Sequence, residues 1–274
     1  MAVDSGAVLG RIVCGDNVEV LSGLPDACID LTVTSPPYDN LRTYGGHSWD
    51  FDALAVQLAR VTKPGGVIVW VVADATVNGS ETGTSMRQAL HFMDVCGLNL
   101  HDTMTYEKHN APPTGKGRYY QAWEYMFVLS KGKPKTFNPI YEPRRNACND
   151  KRTHRVKAFQ RDVNGEMKKK EYTIRDNVPR RNVWSYLVGG GNSAEVMTAH
   201  KHPAIFPYAL AKDHIASWSN PDDVVLDPFS GSGTTCKAAK ELNRQWCGIE
   251  INPEYCAIAE ARLGTCAMRP NDPN

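Results

Sequence analysis

Along most of the 274-residue chain, apolar positions come in short runs separated by polar or Gly/Pro-containing breaks. The runs at 11–14, 30–34, 67–73, 224–227 and 245–250 predict buried strands. Helical patterns are predicted at 17–24, 51–61, 85–96, 207–217, 235–242 and 254–262. The segments 98–106 and 123–129 predict an antiparallel strand pair, joined by a long Pro-, Gly- and basic-rich loop at 108–120. Lys63-Pro64-Gly65-Gly66 predicts a turn. Residues 130–200 are polar and predict irregular structure. Strands alternating with helices, without internal repeats or heptads, imply an α/β fold with a doubly wound sheet.

Composition narrows this picture. A hydrophobic content of 42% is ordinary for a globular protein, and no apolar run approaches the roughly 20 residues needed to span a bilayer. Residues 1–10 lack a basic segment leading into an apolar core, so a cytoplasmic protein without a secretory signal is expected. The eight cysteines form no Cys-x-x-Cys and fall mostly in apolar contexts, which predicts reduced, buried thiols. His200-Lys201-His202 has no Cys or His partner at zinc spacing, so no metal is expected.

The net charge of +1 hides an asymmetry. From Glu142 to Tyr186 there are 13 Lys/Arg against six Asp/Glu, leaving a mildly acidic remainder. A charge run alone is usually a solvated loop. Here Phe159, Gln160, Asn164, Tyr172, Asn182 and Trp184 are interleaved with the basic residues, and the segment lies between the two motifs described next. Both features favour a polyanion-binding element, with DNA as the partner.

The first motif is the apolar run ending in Thr34-Ser35-Pro36-Pro37-Tyr38. The prolines stiffen the backbone and remove donors. What remains is an acceptor set (the Ser35 hydroxyl and the neighbouring carbonyls) beside an aromatic ring, which suits a planar group bearing an NH₂. The second motif is Asp227-Pro228-Phe229-Ser230-Gly231-Ser232-Gly233-Thr234-Thr235, a strand, Gly-rich turn and helix start of the kind that cradles a nucleotide-like ligand. Glu250 ends the next strand, at about the distance from Asp227 where an acid meets ribose hydroxyls. The loop lacks a Gly-Lys-Ser/Thr ending and a third spaced glycine, so a P-loop and a full dinucleotide fingerprint both fit poorly.

Thr34-Ser35-Pro36-Pro37-Tyr38 resembles the catalytic motif of DNA amino-methyltransferases, and Asp-Pro-Phe-x-Gly-x-Gly-Thr-Thr resembles their S-adenosylmethionine loop. The order of catalytic motif, basic segment and cofactor loop is that of the circularly permuted β class. The resemblance spans 11–263, with 137–180 left as family-variable. It implies a Rossmann-like S-adenosylmethionine-dependent methyltransferase fold divided into a catalytic half at 1–136, a basic target-recognition insertion at 137–200 and a cofactor half at 201–274.

The resemblance also implies roles. Ser35, Pro36, Pro37 and Tyr38 are the catalytic set, Ser35 and the Pro36 carbonyl accepting from the amine of a flipped base that stacks on Tyr38. Asp16 contacts the adenine amino group, Phe229 packs near the adenine, Glu250 takes the ribose hydroxyls and Asp227 faces the methionine end. Thr34, Pro228, Ser230, Gly231, Gly233, Thr234 and Asn252 complete the cofactor site, with His202 and Pro203 wrapping the methionine. Asp16 has an additional reading as a helix cap. Arg144, Arg145, Arg152, Arg155, Lys157, Arg180 and Arg181 are expected to grip DNA.

No cysteine lies in a Pro-Cys motif, so methylation at C5 of cytosine is not expected. Ser rather than Asp at position 35 leans toward N4 of cytosine, with N6 of adenine the alternative and an RNA or protein-glutamine substrate a further one. Double-stranded DNA, a homodimer and a cognate restriction endonuclease are the partners the family suggests, in the cytoplasm of a bacterium or encoded by a phage and associated with the nucleoid.

Overall fold

A computed structural model describes residues 8–39, 49–110, 117–144, 155–173, 175–187 and 207–264. In chain order these form β1 (Arg11–Cys14), α1 (Asn17–Ser22), β2 (Ile29–Thr34), α2 (Phe51–Val61), β3 (Thr62–Val72), β4 (Thr76–Val77), β5 (Ser80–Glu81), α3 (Thr84–Asp94), β6 (Asn99–Lys108) and β7 (Trp123–Ser130). There follow β8 (Tyr141–Pro143), β9 (Arg155–Arg161), β10 (Met167–Thr173), β11 (Asn177–Pro179), β12 (Val183–Tyr186), α4 (Tyr208–Trp218), β13 (Val224–Asp227), α5 (Thr234–Glu241), β14 (Gln245–Glu250) and α6 (Pro253–Leu263). Pro139–Arg181 separates as one compact unit, and the rest of the chain forms the other.

The larger unit is built on a sheet of order β1-β14-β13-β2-β3-β7-β6-β12. The strands from β1 to β3 pair in parallel, and β7 runs antiparallel to both β3 and β6. Continuous apolar runs fit strands covered on both faces. Leu31, Ile68, Val69, Trp70, Leu226 and Ile249 are accordingly fully buried. Trp70 packs edge-on against Phe92, and its indole N–H donates to Gln88 Oε1 at 2.9 Å. Helix starts follow local chemistry: Asp16, Asp50 and Asn252 cap α1, α2 and α6 with their side chains.

Two connections leave the sheet's centre in opposite directions. From β2 the chain crosses to β3 on one side, and from β13 it crosses to β14 on the other. The crevice at the carboxyl ends of β2 and β13 is therefore a topological switch point, where open α/β sheets bind ligands.

Two expectations need correcting. Lys63-Pro64-Gly65-Gly66 is not a free turn: it lies within β3. The Gly65 N–H donates to Lys131 O at 2.7 Å, and Gly65 O accepts from Lys135 N at 2.9 Å, so partners after β7 hold the segment in the strand even though Gly65 takes φ +79°. Residues 130–200 are also not wholly irregular. In the smaller unit β9 and β10 form an antiparallel hairpin with Arg161 opposite Met167, and β8 pairs with β11. Turn chemistry sets the hairpin: Asp162 Oδ1 accepts from the N–H groups of Asn164 and Glu166, and Gly165 takes φ +83°. Just beyond that unit, β12 pairs in parallel with β6 and so belongs to the main sheet, with Trp184 buried. Part of the span expected as insertion is thus an edge of the main domain.

Candidate active site

The two sequence motifs meet at the switch point. Thr34, the last residue of β2, donates its hydroxyl to Asp227 Oδ1 at 2.7 Å, and the Phe229 N–H donates to the same oxygen at 3.1 Å. Burial pushes the Asp227 carboxyl up to about 6, against the opposing pull of hydrogen bonds from Thr34, Thr235 and the Phe229 N–H. Val33 O lies 3.3 Å from the Thr235 hydroxyl as an alternative acceptor, and Asn17 Nδ2 donates to Pro228 O at 3.2 Å. Asp227, expected at the methionine end of a ligand, is engaged here in tying the glycine loop to the end of β2.

The loop after β13 is fixed from β14. Glu250 Oε2 accepts from the Gly231 N–H at 2.9 Å, and its Oε1 accepts from the Asn252 N–H at 2.8 Å. Gly233 begins α5 at φ +77°, and a Cβ there would sit 3.1 Å from Ala259 Cβ, so a side chain would push the loop off α6. Beside the loop, Phe229 meets Trp49 edge-on with ring centroids 5.0 Å apart. Trp49, Phe51, Asp16, Val18 and Asp52 line an open cleft of about 630 Å³. Asp16 Oδ1 caps α1 by accepting from the N–H groups of Val18 and Glu19, which sets the carboxylate at this cleft. Aromatic walls beside an acceptor-only carboxylate suit a planar heterocycle bearing an amino group. Trp49 was missed in the sequence. Its signal was an aromatic residue immediately before the Asp50 cap, where it reads equally as a packing contact.

On the other side of the switch point stands the Ser35-Pro36-Pro37-Tyr38 motif. Ser35 Oγ and Tyr38 Oη are 2.8 Å apart. Tyr38 Oη donates to Glu124 Oε2 at 2.7 Å, and Lys108 Nζ pairs with Glu124 Oε1 at 2.5 Å. Asp39, directly after Tyr38, ties the chain to the segment 75–82, and Asp74 anchors the start of α3. Asp39 accepts from the Ala75 N–H at 3.0 Å and the Thr82 hydroxyl at 2.7 Å, while Asp74 accepts from the Ser85 N–H at 2.9 Å and the Ser85 hydroxyl at 2.5 Å. Partial burial works against ionisation of Asp39, but these hydrogen bonds hold its carboxyl below the ordinary range.

A family model described as DNA methylase matches residues 29–261. The chain belongs to this N6/N4 DNA methylase family. Among family relatives, the orphan methyltransferase M.BamHII of Bacillus amyloliquefaciens is 51% identical over 240 residues, 87% of this chain and 89% of that one. The type II methyltransferase M.SmaI of Serratia marcescens is 28% identical across 92% of this chain and 90% of its own. In structure, the chain is similar to the cytosine-N4-specific PvuII DNA methyltransferase, with a TM-score of 0.67 at 20% identity over 96% and 95% of the two chains. It is also similar to the M1.HpyAVI–SAM complex, with a TM-score of 0.60 at 25% identity over 92% and 98%.

The fold thus brings together Thr34, Ser35, Tyr38, Asp227, Phe229, Gly231, Glu250 and Asn252, and it opens a cleft at Asp16. Pro36, Pro37, Pro228, Ser230 and Thr234 lie in the same segments, with Ser230, Thr234 and Thr34 buried. His202, Pro203, Arg145 and Arg152 lie outside the described residues. Arg155 and Lys157 are on β9 by their backbone, and their side chains lie outside the description. Arg144 and Arg181 are exposed, whereas Arg180 is half-buried and pairs with Glu142 at 4.0 Å. The described cysteines are all free thiols, with Cys236, Cys247 and Cys256 buried but Cys14, Cys28 and Cys96 only half-buried, so the expected burial holds for part of them; no cluster of metal-binding side chains occurs among the described residues. No helix among them is long and apolar enough to cross a membrane.

Proposed function

We propose that this DNA amino-methyltransferase acts on N4 of cytosine in double-stranded DNA, with Ser35, the Pro36 carbonyl and Tyr38 as its catalytic set. S-adenosylmethionine, the methyl donor of the family, supplies an electrophilic methyl on a sulfonium. Asp16, Trp49, Phe229, the 227–234 loop and Glu250 would hold it. An exocyclic amine conjugated with its ring is a weak nucleophile. Hydrogen bonds from its two N–H groups to Ser35 Oγ and Pro36 O favour a pyramidal nitrogen whose lone pair points at the methyl. Positioning and electrostatics then carry most of the barrier reduction. Tyr38 offers its ring to the flipped base, repaying part of the few kcal/mol that extrusion costs.

The observation that carries the base assignment is the neutral Ser35 hydroxyl at the mouth of β2. A hydroxyl is a weaker acceptor than a carboxylate, and by resemblance it goes with cytosine rather than adenine. The basic residues of the smaller unit, among them Lys168, Lys169 and Lys170, would bind phosphates. A homodimer, a cognate endonuclease and a cytoplasmic, nucleoid-associated location come with this reading from the family resemblance.

The test is incubation with labelled S-adenosylmethionine and unmethylated genomic DNA, followed by nucleoside mass spectrometry. N4-methylcytosine is expected, and Ser35→Ala should lower kcat on the order of 10²-fold while leaving cofactor affinity intact. N6-methyladenine would keep the mechanism and overturn the base. No methylated DNA, with cofactor bound, would redirect the assignment to RNA or protein.

A further inference from the structure

The hydrogen bonds of Tyr38 lead out of the catalytic motif to side chains that the motif does not include. Ser35 Oγ, Tyr38 Oη, Glu124 Oε2 and, through Glu124 Oε1, Lys108 Nζ form a continuous chain with separations of 2.8, 2.7 and 2.5 Å. Glu124 lies opposite Tyr106 in the β6–β7 pairing, so Lys108, two residues along β6, reaches it diagonally. The pair is sheltered, with side chains 21% (Lys108) and 12% (Glu124) exposed.

The direction of the chain follows from which groups own protons. A carboxylate paired with an ammonium only accepts, so the Tyr38 O–H points at Glu124. Tyr38 Oη can then accept from Ser35. With its single O–H committed to Tyr38, Ser35 Oγ presents only lone pairs to a substrate. A hydroxyl that could otherwise donate or accept is thereby fixed as an acceptor.

We propose that Glu124, anchored by Lys108, is a positioning residue that orients Ser35 toward the substrate amine and terminates a proton relay from it. This rests on the amino-methyltransferase reading above. In the step, the nitrogen lone pair forms the N–CH₃ bond as the S–CH₃ bond breaks, and that bond's electron pair stays on sulfur. The nitrogen then holds one proton too many. That proton passes to Ser35 Oγ as the Ser35 proton moves to Tyr38 Oη and the Tyr38 proton to Glu124 Oε2, from which it is lost to solvent. Among the described residues, Lys108 and Tyr106 from β6 and Tyr38 from the segment after β2 are the titratable groups facing Glu124.

Tyr38→Phe, Glu124→Gln, Glu124→Asp and the Tyr38→Phe/Glu124→Gln double variant of the full chain test this with unmethylated DNA. Tyr38→Phe keeps the stacking ring. Both single breaks in the relay should lower kcat on the order of 10²-fold, with KM for DNA and cofactor affinity unchanged. The double variant should be no worse than the poorer single, because both cut one chain. Glu124→Asp should recover part of kcat, a rescue that a purely structural role would not give. Wild-type kcat in Tyr38→Phe, or multiplicative losses in the double variant, would overturn the relay. A wild-type protein that methylates no DNA would instead overturn the reading beneath it.

Discussion

Strand β3 buries Val67, Ile68, Val69, Trp70, Val71 and Val72 on both faces, whereas on the β9–β10 hairpin Phe159, Arg161, Met167 and Lys169 are all exposed. The first strand exists because water is excluded from it. The second exists because backbone pairing and a five-residue turn with Gly165 close it, and Phe159, Arg161, Met167 and Lys169 stay exposed to solvent. The main unit thus spends its sequence on a core that holds a crevice rigid. The inserted unit spends its own on charge.

The contrast predicts effects of very different size. Trp70→Ala should cost about 3–5 kcal/mol in urea unfolding by loss of buried area and cavity formation. Phe159→Ala, at a ring 67% exposed, should stay within about 0.5 kcal/mol. A large loss for Phe159→Ala in the free protein would mean that the hairpin has a core of its own.

Buried ionisable groups set two opposing pH dependences in the main unit. Burial pushes Asp227 up to about 6 from an ordinary 3.8, so the folded state binds the extra proton and stability from this group rises as pH falls through about 6 toward 3.8. Asp227→Asn should remove that rise and gain up to about 3 kcal/mol over the wild type at pH 8. His214, packed on Trp184 and fully buried, is pushed down to about 3 from 6.5. Its contribution is present above 6.5 and is lost as pH falls toward 3, about 2 kcal/mol of it between pH 7 and pH 5. His214→Leu should flatten that loss, as read by urea midpoints at the two pH values.

The smallest effect on folding belongs to the hairpin, where the readout is DNA. Lys168, Lys169 and Lys170 changed together to Gln should leave Tm nearly unchanged. The slope of log affinity for DNA against log salt should become shallower by about 2–3, with kcat at saturating DNA retained. An unchanged slope would remove these lysines from the phosphate contacts.

Much of the main unit was legible because buried parallel strands write themselves as apolar runs and helices carry their caps next to them, as at Asp16 and Asn252. The hairpin was not. Its strands carry no apolar face, and its one local signal, Asn164-Gly165, lay in a charged stretch that reads as loop. Gly65 and Gly66 misled for the opposite reason. Their local chemistry says turn, and only hydrogen bonds to Lys131 and Lys135 keep them in the strand. Trp49 and Glu124 were invisible as site residues because nothing within a few positions of either marks a ligand.

By itself the sequence determined the family, the alternation that makes an α/β sheet, and two motifs whose residue types suit an amine acceptor and a nucleotide-like ligand. Those are local properties, carried by short stretches whose chemistry does not depend on distant partners. The tertiary structure decided what the motifs do to each other. Thr34 and Asp227 are 193 positions apart, yet they share one hydrogen bond because β2 and β13 are neighbours in the sheet. The same pairing of distant strands turned Asp227 into a buried tie, and the strand order placed a Glu–Lys pair from the antiparallel β6–β7 pair beside Tyr38. Strand order sets which side chains share a crevice, and that order is fixed by burial across the whole sheet rather than by any one segment.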